Sequence, residues 1–294
     1  MGLATVFSKN ESLKDFIRTI EGSTLEIQMV TKPSGSFTMG SPASEKHRNL
    51  DKGPVHEEAL NSFWISKHEI TREVYNLFVN RAIDGNDHPN IATEVNIDID
   101  AIFGTIPYVD MSLAMSTSEG LPVGNVTHYE VSQFCQWLSA KRGKFYRLPT
   151  EAEWEHADRA DTSTAYHFED GAKKLEDHAG SYENNEAPFH PTGQKKLNPC
   201  WLYDMYGKVA EWTVDQYLPD VYQTRKQITI SSILFSDKTY PRSIRGGSYH
   251  DNAEYIRSAT RLGSTKNGEI RDPQFPKKQM VEDRYPLCRI SYSS

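Results

Sequence analysis

The chain has 294 residues and carries 33 Lys and Arg against 40 Asp and Glu, a formal charge of −7. An acidic chain with scattered basic residues lacks the stripe that neutralises phosphates, so nucleic-acid binding is not expected. At 37% hydrophobic and 11% aromatic the composition is that of a folded domain, and no stretch reaches the roughly 20 apolar residues that span a bilayer.

Met1 to Lys14 has no apolar core of the kind a secretory signal needs, which makes the cytoplasm the default expectation, or export if a leader was removed. Cys135, Cys200 and Cys288 are widely spaced and form no Cys-x-x-Cys pair. They are expected as small buried residues without a disulfide framework, an odd number that fits a reducing compartment.

In chain order, residues 1–25 read as a helical or extended lead-in and 26–294 as one domain, with about 90–122 an insertion of mixed pattern. Past Thr71, the spacing of Val74, Tyr75, Phe78 and Val79 predicts a short amphipathic helix. Thr127-His128-Tyr129-Glu130 is a capping box that opens a second helix. Its apolar stripe is Val131, Phe134, Cys135 and Leu138, and Lys141, Arg142 and Gly143 close it. A short strand through Phe145–Leu148 leads to a second box, Thr150-Glu151-Ala152-Glu153, and a third helix carrying Trp154 and Ala157. From Asp161 onward Gly, Pro, Asn and aromatic residues predominate without sustained periods, which predicts short strands and long ordered loops.

Several segments carry more than secondary structure. They are Gly35-Ser36-Phe37-Thr38-Met39-Gly40-Ser41, Arg147-Leu148-Pro149-Thr150-Glu151-Ala152-Glu153-Trp154-Glu155, and His190-Pro191-Thr192-Gly193. Leu202-Tyr203-Asp204-Met205-Tyr206-Gly207, Ala210-Glu211-Trp212 and Arg245-Gly246-Gly247-Ser248-Tyr249 follow. In this order and spacing, over roughly residues 30 to 290, the chain resembles the formylglycine-generating enzyme, or sulfatase-modifying factor, family. The resemblance implies an α+β fold, a variant of the C-type lectin fold with short strands, long loops and a few short helices.

The resemblance also implies a structural calcium site held by the Asp204 and Glu211 side chains and the Gly207 and Val209 carbonyls, hard oxygens of the kind Ca²⁺ selects. By residue type alone, Asp204 and Glu211 would be solvated charges. Where the family has Gly-Asn this chain has Gly207-Lys208, a lysine that can point outward on its long stem. Gly246-Gly247 permits a tight turn that presents Ser248, and Trp201, Trp212 and Tyr249 are expected to line a cleft.

Family enzymes that convert a sulfatase cysteine to formylglycine use two thiols shortly after the Arg-Gly-Gly-Ser turn to hold Cu(I), as soft thiolates do. Residues 250–261 contain no cysteine, and Cys288 takes the place of a packing residue on the closing strand. Thiol and copper chemistry is therefore not expected, and a binding or scaffold module for a ligand or a polypeptide, a sulfatase among them, is the first expectation. The alternative is a divergent oxidoreductase with Ser248, His250 and Asp251 at the reacting atom and Fe(II) held by histidines such as His128 or His156 with a carboxylate. Arg257 and Arg261 are expected to pair with carboxylates, while Arg271 and Asp272 lie near the expected cleft.

Overall fold

The computed structural model describes residues 14–80, 83–84, 119–124, 126–142, 144–181, 190–225, 228–235, 238–265 and 291–293. Arg271, Asp272, Cys288 and nearly all of the expected insertion lie outside the described residues. The helices are α1 (Arg72–Asn80), α2 (His128–Arg142), α3 (Glu151–Arg159), α4 (Leu175–His178) and α5 (Val221–Thr224). The first strands are β1 (Phe16–Thr19), β2 (Glu26–Lys32), β3 (Gly35–Met39), β4 (His56–Leu60), β5 (Phe63–Ser66) and β6 (Tyr146–Arg147). They are followed by β7 (Ala179–Gly180), β8 (Tyr206–Gly207), β9 (Glu211–Gln216), β10 (Ile228–Ile230), β11 (Arg242–Arg245), β12 (Leu262–Gly263) and β13 (Ser291–Ser293).

The largest sheet has the order β1-β2-β5-β13-β6, so the last strand of the chain closes between β5 and β6. Antiparallel β1 and β2 form its edge, which makes the last part of the lead-in extended. Strand β2 shows how one sheet serves two cores. Successive side chains of a strand point to opposite faces; Ile27 and Met29 enter a core with α1 and α2, while Val30 enters a second core with Ile65 and Trp154 of α3.

Each predicted helix forms where its signals stand. Val74, Tyr75 and Phe78 of α1 are buried, and Tyr75 and Phe78 meet Phe134 and Trp137 of α2 with ring centroids 5.5–5.9 Å apart, in range for favourable ring contacts. At α2 the Glu130 carboxylate accepts from Thr127 N at 2.6 Å and Thr127 Oγ1 accepts from Glu130 N at 3.3 Å. Cys135 lies on the buried stripe as expected. At α3 both bonds of the box between Thr150 and Glu153 are present, and Arg147 braces the Glu153 carboxylate with two bonds of 2.7 Å.

Helix α3 is the centre of the molecule: all nine of its residues are buried. Its carboxylates are answered by arginines from distant segments. Glu151 receives Arg261 Nε at 2.7 Å and Nη2 at 2.9 Å. Glu155 receives Arg159 Nε at 2.8 Å, Gly40 N at 2.8 Å and Arg245 Nη2. Burial alone would raise the Glu151 pKa, but the Arg261 and Arg245 guanidinium groups outweigh it and hold the carboxyl at about 2. The expected pairing of Arg261 is thus internal, and that of Arg257 is with Glu45 at 3.1 Å.

Removing one partner from a buried ion pair strands the other charge. Arg245→Met is therefore expected to lower the unfolding free energy by about 3 kcal/mol or more, read from the urea midpoint. An unchanged midpoint would show that the α3 carboxylates do not depend on Arg245.

Candidate functional site

Two loops meet above α3. One runs from Asp204 through β8 to Glu211; the other is the Gly246-Gly247 turn that follows β11. They are joined by two backbone bonds, Gly207 N to the Gly246 carbonyl at 2.9 Å and Tyr249 N to the Lys208 carbonyl at 3.1 Å. Glycine is required at the crossing. Gly207 has a φ of 63° and a Cβ there would collide with the Gly180 carbonyl, while at Gly247, φ 70°, it would crowd Ile256 and the Tyr255 carbonyl.

The turn does present Ser248, but inward. Ser248 N and Oγ both donate to Asp251 Oδ2, at 2.8 and 3.0 Å, and both residues are buried. His250 is exposed and lies against the Tyr249 ring, centroids 3.8 Å apart. Of the three expected catalytic residues, Ser248 and Asp251 are thus brought together as a local turn. His250 stays exposed beside them, with the Asp251 carboxylate acting on its ring.

The histidines considered as further iron ligands have other occupations. His128 Nε2 lies 3.2 Å from the Thr213 carbonyl, and His156 packs on Phe37 with ring centroids 4.9 Å apart. Burial lowers both to about 4, so each is a neutral packed ring near neutral pH. Among the described residues no group of three or more His, Cys, Asp or Glu side chains is placed to hold a metal ion.

Of the expected cleft residues, Trp212 lies in the core instead, where its indole donates to the Val126 carbonyl at 3.0 Å. Trp201 stands 62% exposed with a φ of 63°. Tyr203 stacks on His68, with centroids 4.8 Å apart, and Lys67 lies over its other neighbourhood at 5.5 Å from the ring centre.

In the Asp204 loop the two side chains expected to hold calcium are engaged within the chain. Asp204 and Glu211 are buried rather than solvated, and Asp204 Oδ2 accepts from Gly193 N at 2.8 Å. Lys208 does not point outward. With Asp204 and Lys208 both in left-handed backbone conformations (φ 53° and 55°), its ammonium turns in and lies 3.1 Å from Asp204 Oδ2 and 2.9 Å from Glu69 Oε2. Glu211 Oε2 accepts the Trp154 indole N–H at 2.8 Å. Inward-facing carboxylates that already enclose an ammonium do not fit a calcium ion, which would bring a second charge of the same sign to that place.

Glu69 is the residue that sequence reasoning missed. It lies far from Lys208 in the chain and has no local pattern to mark it. Burial pushes its carboxyl up to about 8, with Lys208 pulling the other way and Asp204 and Glu211 adding to the rise. Burial thus favours the protonated form of Glu69.

Comparison with known proteins places this geometry in context. A family model described as the sulfatase-modifying factor enzyme 1-like domain matches residues 19–272. The serine/threonine-protein kinase pkn1 of Chlamydia caviae is 29% identical over 235 residues, which are 80% of this chain and 35% of the kinase. The chain therefore spans about a third of the length of that relative. The formylglycine-generating enzyme of Mycobacterium tuberculosis is 23% identical, covering 78% of this chain and 88% of the enzyme. The inactive C-alpha-formylglycine-generating enzyme 2 of Bos taurus is 25% identical, covering 83% and 85%. Among solved structures, that of PvdO from Pseudomonas aeruginosa superposes with a TM-score of 0.70 at 23% identity, covering 91% of this chain and 94% of that one.

Two measurements follow from Lys208. The melting temperature is expected to be indifferent to added calcium and to a chelator, whereas Lys208→Met should lose about 3 kcal/mol by stranding Asp204; a calcium-dependent rise in the wild type would restore the metal. The second is pH dependence. A carboxyl raised above its ordinary value contributes stability that is complete below about 4.5 and lost as pH rises to about 8. The stability of wild type relative to Glu69→Gln should therefore fall across that window, and a difference independent of pH would mean Glu69 is ionised throughout.

Proposed function

The chain belongs to the sulfatase-modifying factor enzyme 1-like family, and we propose that within it the protein is a recognition module that does not carry out thiol-dependent oxidation. The observation that carries this reading is the absence of any thiol at the turn where the chemistry would be. Residues 248–261 hold no cysteine, and Ser248 and Asp251 are closed on each other.

Among the described residues the remaining thiols do not form a pair. Cys135 is buried among the residues of α1 and α2, whereas Cys200 packs against the α3 core, so the two belong to separate clusters. Neither adjoins the Gly246-Gly247 turn, which rests on Ile256 and Trp154. A bound Cu(I) would demand soft donors, and the turn offers a hydroxyl, a carboxylate and an exposed imidazole.

Two further observations support a binding role. One curated relative bears the name of an inactive formylglycine-generating enzyme, so the fold exists in a form without the activity. In the chlamydial kinase the matching region is a minor part of a longer chain, as a module would be. Trp201, exposed two residues before the Tyr203 that stacks on His68, is an aromatic side chain of the kind polypeptide interfaces favour. Lys208 takes the structural place of a bound cation in this reading, and the loop needs no metal to keep its shape.

The test is aerobic incubation of the purified chain with Cu(I) and a cysteine-containing sulfatase peptide, followed by capture of aldehydes with an aminooxy probe. No labelled peptide is expected, while the formylglycine-generating enzyme run in parallel labels it. Turnover by this chain would defeat the proposal.

A further inference from the structure

Outside the site, one contact lacks an ordinary explanation. Lys32 ends β2 on the face turned toward α3 and is buried. The one hydrogen-bonding partner its ammonium has among the described residues is Cys200 Sγ, at 2.5 Å. A buried ammonium normally has carboxylate or carbonyl oxygens around it, because desolvating the charge is costly. Here it faces a thiol that burial pushes up from its ordinary pKa, despite the lysine beside it.

The placement of the sulfur is firm. Asn198 Nδ2 donates to the carbonyls of Ala157 at 2.8 Å and Asp158 at 3.2 Å, at the end of α3. Asn198 Oδ1 accepts from Cys200 N and Leu202 N, both at 3.0 Å. Asn198 N donates to the Leu202 carbonyl at 2.8 Å, closing a tight turn. Lys32 is fixed from the other side by its register opposite Phe63 in the central sheet. Between these two elements Nζ and Sγ lie closer than an N–H···S hydrogen bond brings them, yet farther apart than a direct S–N bond would. That is the spacing of two atoms joined through a third.

We propose that Lys32 and Cys200 form a covalent modification site, an Nζ–O–Sγ bridge made when the reduced protein meets dioxygen. The S–H bond and two N–H bonds of the deprotonating ammonium break, and one S–O and one N–O bond form. Thiol, ammonium and one dioxygen give the bridge, one water and one proton. Sulfur and nitrogen each lose two electrons, and the four together reduce dioxygen. Cys200 is half-buried, which admits a small oxidant, and the product removes a buried charge from the α3 core. Two equivalents of a dithiol supply four electrons and return thiol, amine and water. The bridge ties β2 to the turn that carries exposed Trp201, so oxidation would fasten that surface to the sheet.

The full chain purified in air is denatured, its free thiols alkylated without reductant, and the protein digested with a protease that cleaves after Glu. The expected product is a joined peptide containing Lys32 and Cys200, heavier than the two together by one oxygen and lighter by two hydrogens. It should vanish after dithiol treatment and be lacking in protein made and purified without air. Complete alkylation of Cys200 in the aerobic sample would overturn the proposal. So would a joined peptide without the extra oxygen, which would mark a sulfenamide instead.

Discussion

The loops around α3 are arranged about two buried carboxylates. Glu151 and Glu155 lie on α3, a helix buried on all sides, and a carboxylate in that position must be met by a cation and by hydrogen bonds. The cations come from far along the chain, Arg245 from β11 and Arg261 from the segment before β12. Arg245 also donates to the carbonyls of Ser258 and Thr260 at 3.1 and 2.7 Å, and Arg261 to that of Asp51. Satisfying α3 therefore fixes the β3–β4 connection, the 258–261 segment and the turn after β11 in one step. Loops with few regular hydrogen bonds gain a definite shape because their guanidinium groups have only one place to go.

The same electrostatic rule operates at the Asp204 loop with a different cation. Loops of this length need something to hold them, and a lysine drawn inward supplies the positive charge from within the chain. Lys208 has to adopt a left-handed backbone to do so, at a cost of order 1 kcal/mol. A covalently attached cation cannot dissociate, and its ammonium offers three donors rather than the open coordination sphere of a metal. Carboxylates that could have been ligands become acceptors for that ammonium.

How far the sequence reaches depends on where each signal is stored. The three main helices are legible because capping boxes and apolar stripes are local: Thr127 with Glu130 and Thr150 with Glu153 lie within one turn of each other. The pairing of Arg261 could be anticipated only in kind, since Glu151 is distant in the chain. Glu69 was invisible for the same reason, and with it the true partner of Lys208. Trp212 was misplaced because an indole has equal use in a core and in a cleft; its hydrogen bond to the Val126 carbonyl decides for the core. Lys32 and Cys200, 168 residues apart, carry no local mark at all.

These assignments also explain why recognisable motifs can outlast an activity. Thr150, Glu151, Glu153, Trp154 and Glu155 are engaged in capping α3, pairing with arginines and fixing Glu211. Arg245 and the two glycines after it hold the loops together. Substituting any of them would disturb the fold whether or not the protein catalyses anything. The segment after the turn is held less uniformly: Asp251 and Ile256 are buried, whereas His250 faces solvent. An exposed position such as His250 can be exchanged at small structural cost while the framework stays whole. A resemblance carried by the framework motifs accordingly transfers the architecture, and the reaction has to be judged from the few positions that the architecture leaves free.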